Sequence, residues 1–259
     1  MEKNKGQVTI FIVIGVILIS AVVLFFLLRG TTITETTGKP EENPEAFLET
    51  CIEDKIKEAV EIITLHGGYP NNELNKEFRF EDEGITVNVS YLCYNQNNYL
   101  PCINQKPTFM EDLKSKIKNH ISEKVESCFN ELTENFNREG YETIKNYNGF
   151  EVEIIPKRII IQTDSDIALT KSSEATKQED FEINVASRLY EISFLVQEIV
   201  NQEARFCYAE TLGIALDSPE FIINKFKTGE STIIYTIEHK DSKEKFRFAT
   251  RGCVIPPGI

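Results

Sequence analysis

The sequence predicts an α+β protein in which an N-terminal transmembrane helix precedes a disulfide-compatible ectodomain of amphipathic helices packed on antiparallel sheets. Three observations predict it. Val8 to Leu28 runs for 21 residues without a charge, helix-period stripes and strand-period alternations succeed one another from residue 44 onward, and all six cysteines follow the apolar run. As a helix, 8–28 would span roughly 31 Å, which matches a hydrocarbon layer of about 30 Å. A core helix of that length would normally show a polar stripe, and this segment shows none.

The flanks orient the segment. Lys3 and Lys5 precede it against Glu2, and Arg29 follows alone before Glu35, Glu41, Glu42 and Glu45. This basic excess predicts a cytoplasmic N-terminus (1–7), a single-pass topology with the lipid bilayer as partner, and an extracellular C-terminal domain. The apolar core is longer than that of a secretory signal, and Phe25-Phe26-Leu27-Leu28-Arg29-Gly30 lacks the small-x-small cleavage pattern, so the segment reads as a retained anchor. Lys5-Gly6-Gln7-Val8-Thr9-Ile10-Phe11 resembles the leader junction of archaeal type IV pilin-like proteins. The resemblance implies a leader peptidase as partner, a cut between Gly6 and Gln7, and a helix that stays on the mature chain. Phe11 stands where assembling pilins commonly carry glutamate, so the likeness extends to processing more than to filament assembly. An uncleaved anchor is the competing reading of the same residues.

With 41% hydrophobic residues the chain can bury a sizeable core. The formal net charge is -13; Lys3, Lys5 and Arg29 against Glu2 make residues 1–30 net +2 and leave -15 beyond. A domain of that sign repels nucleic acid and anionic headgroups, so no nucleic-acid partner is expected. Cys51, Cys93, Cys102, Cys128, Cys207 and Cys253 are even in number and fit three disulfides. Fifteen connectivities are formally open. Proximity alone favours Cys93–Cys102 and Cys207–Cys253, leaving Cys51–Cys128. Free buried thiols are the alternative, whereas zinc lacks any CxxC or local Cys/His cluster, His66, His120 and His239 being far apart.

Residues 29–43, rich in threonine, Gly30, Gly38 and Pro40, read as a flexible stalk. A first helix-plus-strand part (44–107) opens with Asn43 as N-cap and Pro44 at the first helical position. Leu48, Ile52, Ile56, Ala59 and Ile63 recur at helical spacing until Gly67-Gly68, with His66 capping the last turn. Phe78 to Phe80 and then Ile85, Val87, Val89 and Tyr91 alternate as strands. Asn88-Val89-Ser90 is a glycosylation acceptor pattern. Tyr94 to Pro107 reads as a loop stapled by Cys93 and Cys102.

The second part (108–259) opens with Thr108 and Glu111 as a capping box. The stripe Leu113, Ile117, Ile121, Val125, Cys128/Phe129, Leu132 and Phe136 follows. Residues 150–186 predict four short strands, with turns at Pro156, at Asp164-Ser165-Asp166 and over Lys171–Asp180. Leu189, Ile192, Val196, Ile199 and Val200 predict a further helix. A short helix is expected from Ser218-Pro219 to near Lys227, and a hairpin of Ser231–Glu238 with Lys245–Thr250 ends the chain.

The search for chemistry yields no phosphate loop, no nucleophile elbow and no zinc-protease motif, so no catalytic, cofactor or metal residue is assigned. Asp164-Ser165-Asp166 lacks the glycine and terminal glutamate of a calcium loop. The most binding-like residues are Tyr91, Tyr94 and Tyr99, interleaved with Asn95 to Asn98, because tyrosine joins apolar area to a polar handle. The plan of a Gln-Val-Thr-Ile-Phe helix, a Cys-bearing helix ending Leu-His-Gly-Gly-Tyr-Pro, a second Cys-bearing helix and Gly-Phe-Glu-Val-Glu strands looks like uncharacterised membrane proteins of small-genome archaeal lineages. Together these features lead to the expectation of a membrane-anchored, surface-exposed structural or interaction protein. It would be pilin-like, with other envelope proteins or itself as partner. The alternatives are an extracellular ligand- or protein-binding ectodomain and a secreted-side hydrolase.

Overall fold

Asn43 starts the first helix as a side-chain cap, its Oδ1 accepting the Ala46 N–H at 3.1 Å. The computed structural model describes residues 43–172 and 174–254. Helix α1 (Pro44–Leu65) buries Leu48, Ile52, Ile56, Ala59, Val60 and Ile63 along one stripe. Two glycines stop it in a paired-bond motif: Gly68 donates to the Ile63 carbonyl at 2.8 Å and Gly67 to Thr64 at 3.4 Å. Gly67 sits at φ +69°, and a Cβ there would come within 3.2 Å of the Ser90 side chain, so only glycine fits without strain. His66 sits at this helix end, where its Nδ1 lies 2.8 Å from the Asn88 carbonyl.

Strands β1 (Asn75–Phe80) and β2 (Ile85–Tyr94) form a hairpin, and the two-residue β3 (Ile103–Asn104) pairs with the end of β2. Helix α2 (Phe109–Arg138) buries its whole predicted stripe from Leu113 to Phe136 and packs on α1. The Thr108 side chain does not cap it; Thr108 Oγ1 instead donates to Asp112 Oδ1 at 3.3 Å. Cys51–Cys128 joins α1 to α2.

A second sheet follows: β4 (Glu142–Ile155), β5 (Arg158–Lys171), β6 (Glu174–Glu179) and β7 (Glu182–Ala186). Strand β5 pairs with β4 along one side; on the other it takes β7 along Arg158–Gln162 and β6 along Asp166–Lys171. The expected turn at Asp164-Ser165-Asp166 is therefore corrected: these residues run straight through β5. Ser165 is buried with its Oγ 2.7 Å from Thr163 Oγ1. The flanking aspartates point the other way, held by the Asn148 and Asn146 amides at 3.3 and 3.1 Å. Cross-strand asparagines thus make a strand of what local composition reads as a turn.

Helix α3 (Leu189–Phe206) and the short α4 (Thr211–Asp217) lead into β8 (Phe221–Lys227), β9 (Ile233–His239) and β10 (Lys245–Arg251). The helix expected from Ser218-Pro219 to Lys227 is also corrected, since Phe221–Lys227 pairs along its whole length with β9. Phe-Ile-Ile-Asn-Lys-Phe is rich in aromatic and β-branched residues and has no helical stripe, so ladder pairing wins. The first sheet has the order β1-β2-β10-β9-β8, antiparallel except for the β2–β10 pair. Its inner face packs on α1 and α3, placing Leu92, Phe246, Phe248, Tyr235 and Ile237 in a core shared with both sheets. Cys93–Cys102 staples the β2–β3 loop, and Cys207–Cys253 ties the end of α3 to the chain beyond β10.

The membrane expectations are corrected as a group. No helix among the described residues is long and apolar enough to cross a membrane. Helices α1 and α2 have the length, but charges such as Glu53, Lys57, Glu58 and Glu61 on α1 face solvent. Val8–Leu28 and the Gly6-Gln7 junction lie outside the described residues. What the structure supports is a mixed α/β fold with disulfides. The transmembrane helix, the bilayer partner, the single-pass extracellular topology and the pilin-like surface role drop out of the description. The length of an apolar run is a statement about transfer energy, and all four expectations depend on it.

Candidate functional site

Strand register sorts the first sheet into two faces. Arg247 lies beside Thr236, and Thr236 beside Asn224; Ala249 lies beside Ile234, and Ile234 beside Phe226. Tyr91 meets this face from β2, and Phe78 opposite Val87 extends it to β1. These residues form a smaller apolar cluster, with Val87, Val89, Tyr91, Ile234 and Ala249 buried and Phe78 and Phe80 packed on them. The sheet curls about this face until its first and last strands touch. The Phe78 and Phe226 rings lie 5.2 Å apart, Phe78 and Phe80 lie 4.8 Å apart, and Lys76 pairs with Glu230 beyond β8. Between β1 and β8 remains a slot of about 900 Å³ with Arg247 and Thr236 at its base and phenyl rings on its walls.

Arg247 is 1% exposed, the largest fully buried side chain among the described residues. Phe80 covers its guanidinium at 3.8 Å, and Nη2 donates to Glu83 Oε1 at 2.6 Å. Lys245 reaches the same oxygen at 2.6 Å. The Arg247 guanidinium first, and the Lys245 ammonium second, hold the Glu83 carboxyl below its ordinary value; hydrogen bonding to Glu83 raises Lys245 in return. Arg247 Nε and Nη1 are buried and make no hydrogen bond. Sequence reasoning missed this site. The alternation Lys245, Arg247, Ala249 against Phe246, Phe248, Thr250 assigns Arg247 to a solvent face, and only the curl of the sheet buries it.

A second concavity, about 710 Å³, lies between α1, the end of β7 and the β9–β10 turn. It gathers His239, Ser242 and Glu244: Ser242 Oγ is 2.9 Å from His239 Nδ1 and 3.1 Å from Glu244 Oε2. These groups are committed to the turn. His239 Nδ1 also accepts the Ser242 backbone N–H at 3.1 Å, and Glu244 Oε2 also accepts the Arg188 N–H. A nitrogen that accepts the backbone N–H of its own turn, beside a hydroxyl whose proton goes to Glu244, is a turn-closing acceptor rather than a base facing a substrate.

The binding-like tyrosines separate. Tyr91 is buried on the curled face with its hydroxyl 2.8 Å from Thr232 Oγ1, and Tyr94 packs on it edge-to-face at 5.0 Å. Tyr99 is 67% exposed on the loop closed by Cys93–Cys102. Asn88 is exposed on β2. Among the described residues, no group of three or more His, Cys, Asp or Glu side chains could hold a metal ion.

No protein-family model, curated protein or solved structure matches the chain. This removes the resemblance to pilin-like and uncharacterised archaeal membrane proteins as a support for its identity, because seven junction residues and a succession of elements do not amount to a family match.

Proposed function

We propose that this domain is a ligand-binding module whose site is the slot between β1 and β8. The observation that carries this reading is the convergence of two free sheet edges on a concavity with three phenylalanine walls, Phe78, Phe80 and Phe226. Phe226 is 56% exposed there. The slot sets these rings against a lining that is otherwise mostly polar and charged, the mixture that orients a ligand by its polar end while burying its apolar body, and its volume falls within the common range of about 300–1,000 Å³. The three disulfides hold the surrounding framework, so the slot sits on a rigid scaffold.

The test is a fragment screen on the full chain followed by backbone amide shifts. Aromatic fragments are expected to move the amides of Phe78–Phe80 and Asn224–Phe226. Hits that gather instead around Ser187, His239 and Ser242 would transfer the site to the second concavity and overturn this reading.

A further inference from the structure

We infer that the ligand of the slot carries a carboxylate that pairs with Arg247, an inference that rests on the slot being the binding site. A guanidinium has five N–H donors. Glu83 accepts from Nη2, which leaves the three N–H groups of Nε and Nη1 buried without an acceptor. Such groups are costly to bury, and the deficit is removed when a ligand supplies oxygens. Phe80 lies over the guanidinium, so an acceptor must approach in the plane of the fork, the geometry that a planar carboxylate matches.

The charges facing the slot set the valence of the ligand. Arg79, Lys225, Lys245 and Arg247 line it as cations and Glu81, Asp82, Glu83 and Glu238 as anions, and Lys245 lies between the Glu83 and Glu238 carboxylates at 2.6 and 3.4 Å. The lining is therefore neutral, and the unpaired Arg247 donors can take a single carboxylate, whereas a phosphate dianion would meet Glu83 and Glu238 as like charges with no surplus cation to offset it. The walls select the remainder of the molecule. Phe78 and Phe226 offer ring faces and edges to a flat apolar body. The ligand class is an aromatic monocarboxylate, supplied either as a free small acid or as the C-terminal residue of a peptide.

The test titrates the full chain with 3-phenylpropionate and, as the neutral partner of the same shape, 3-phenylpropanamide, reading the amides of β1 and β8. The acid is expected to bind about tenfold tighter than the amide. Arg247→Met should abolish that preference while the amide still enters. Glu83→Gln, which removes the competing carboxylate, should tighten the acid several-fold and leave the amide unchanged, and this variant decides the matter if Arg247→Met does not fold. A tetrapeptide ending in free phenylalanine that outbinds 3-phenylpropionate assigns the carboxylate to a chain terminus, and the reverse order assigns it to a small acid. Equal binding of acid and amide in the slot would overturn the carboxylate while leaving the slot in place. If neither probe at millimolar concentration moves the β1 and β8 amides, the slot reading falls with it.

Discussion

Each face of the curled sheet buries a charged side chain, Glu203 against the inner face and Arg247 on the outer, and the two are treated in opposite ways. On the inner face Glu203 of α3 is 3% exposed, and its Oε1 accepts from the Tyr235 hydroxyl and the Ala209 N–H at 3.2 Å, with Lys225 Nζ at 3.5 Å. Burial, and next the Glu203 charge, push the Tyr235 hydroxyl far above its ordinary range, so it stays protonated and keeps donating. On the outer face Arg247 is buried as deeply, yet three of its N–H groups have no acceptor. The inner charge is used up in joining α3, β8 and β9. The outer one has donors to spare. Buried polar groups without partners mark places where a protein gives up stability for another purpose, and that difference is the reason the proposed site is put on the outer face.

Removing the inner-face attachments should therefore be costly, and freeing the end of α3 should be silent in the slot. The largest effect is expected from replacing Cys207 and Cys253 together by alanine, which frees the end of α3. A loop of 46 residues gives about 4 kcal/mol from chain entropy, measurable by urea unfolding under oxidising conditions. Amide shifts of Phe78–Phe80 should stay where they are; if they move, the two faces are not independent. Glu203→Leu should cost about 3 kcal/mol, because it leaves the Tyr235 hydroxyl and the Lys225 ammonium without their shared acceptor. A loss below about 1 kcal/mol would show that the inner cluster is not the attachment described.

The sequence displays the inner architecture far better than the outer one. The α1 and α2 stripes, the Asn43 cap and the Gly67-Gly68 stop are local signals, each settled within a few residues, and the structure shows them in place. Phe221–Lys227 was misread because Ser218-Pro219 looks like a helix start, while the pairing with β9 that makes it a strand is not a local property. The slot lies beyond such reasoning altogether. Arg247 and Glu83 are 164 residues apart, and β1 meets β8 only after the sheet has curled. The available clue was an arginine in a strand whose alternate residues are Phe246, Phe248 and Thr250. A polar residue on a strand's second face is ordinary until another strand folds over it.

Arg247→Met tests the outer half of the contrast directly. Exchanging a buried, partly satisfied charge for an apolar side chain of similar length is often neutral or stabilising. The expected change is within about 1 kcal/mol of the parent, with Glu83 keeping Lys245 as its partner. A loss of more than about 3 kcal/mol would make Arg247 as structural as Glu203, and the asymmetry would vanish.

The smallest effect concerns protons. The Glu83 carboxyl is held below its ordinary value of 4.5 by Arg247 and Lys245 in the folded protein. The unfolded chain therefore binds this proton first as pH falls. Stability from Glu83 is fully present above the unfolded value and is lost as pH falls through the lower folded one. Because this side chain is about one-third exposed, solvent screens the contribution, and it should stay under about 1 kcal/mol. Urea midpoints between roughly pH 5 and pH 3 are expected to fall more steeply for the parent than for Glu83→Gln. A carboxylate ligand on Arg247 should sharpen the comparison. Its own protonation in the same window removes its charge, so ligand-induced stabilisation would fade on acidification even in Glu83→Gln, whereas stabilisation by the matched amide would stay level.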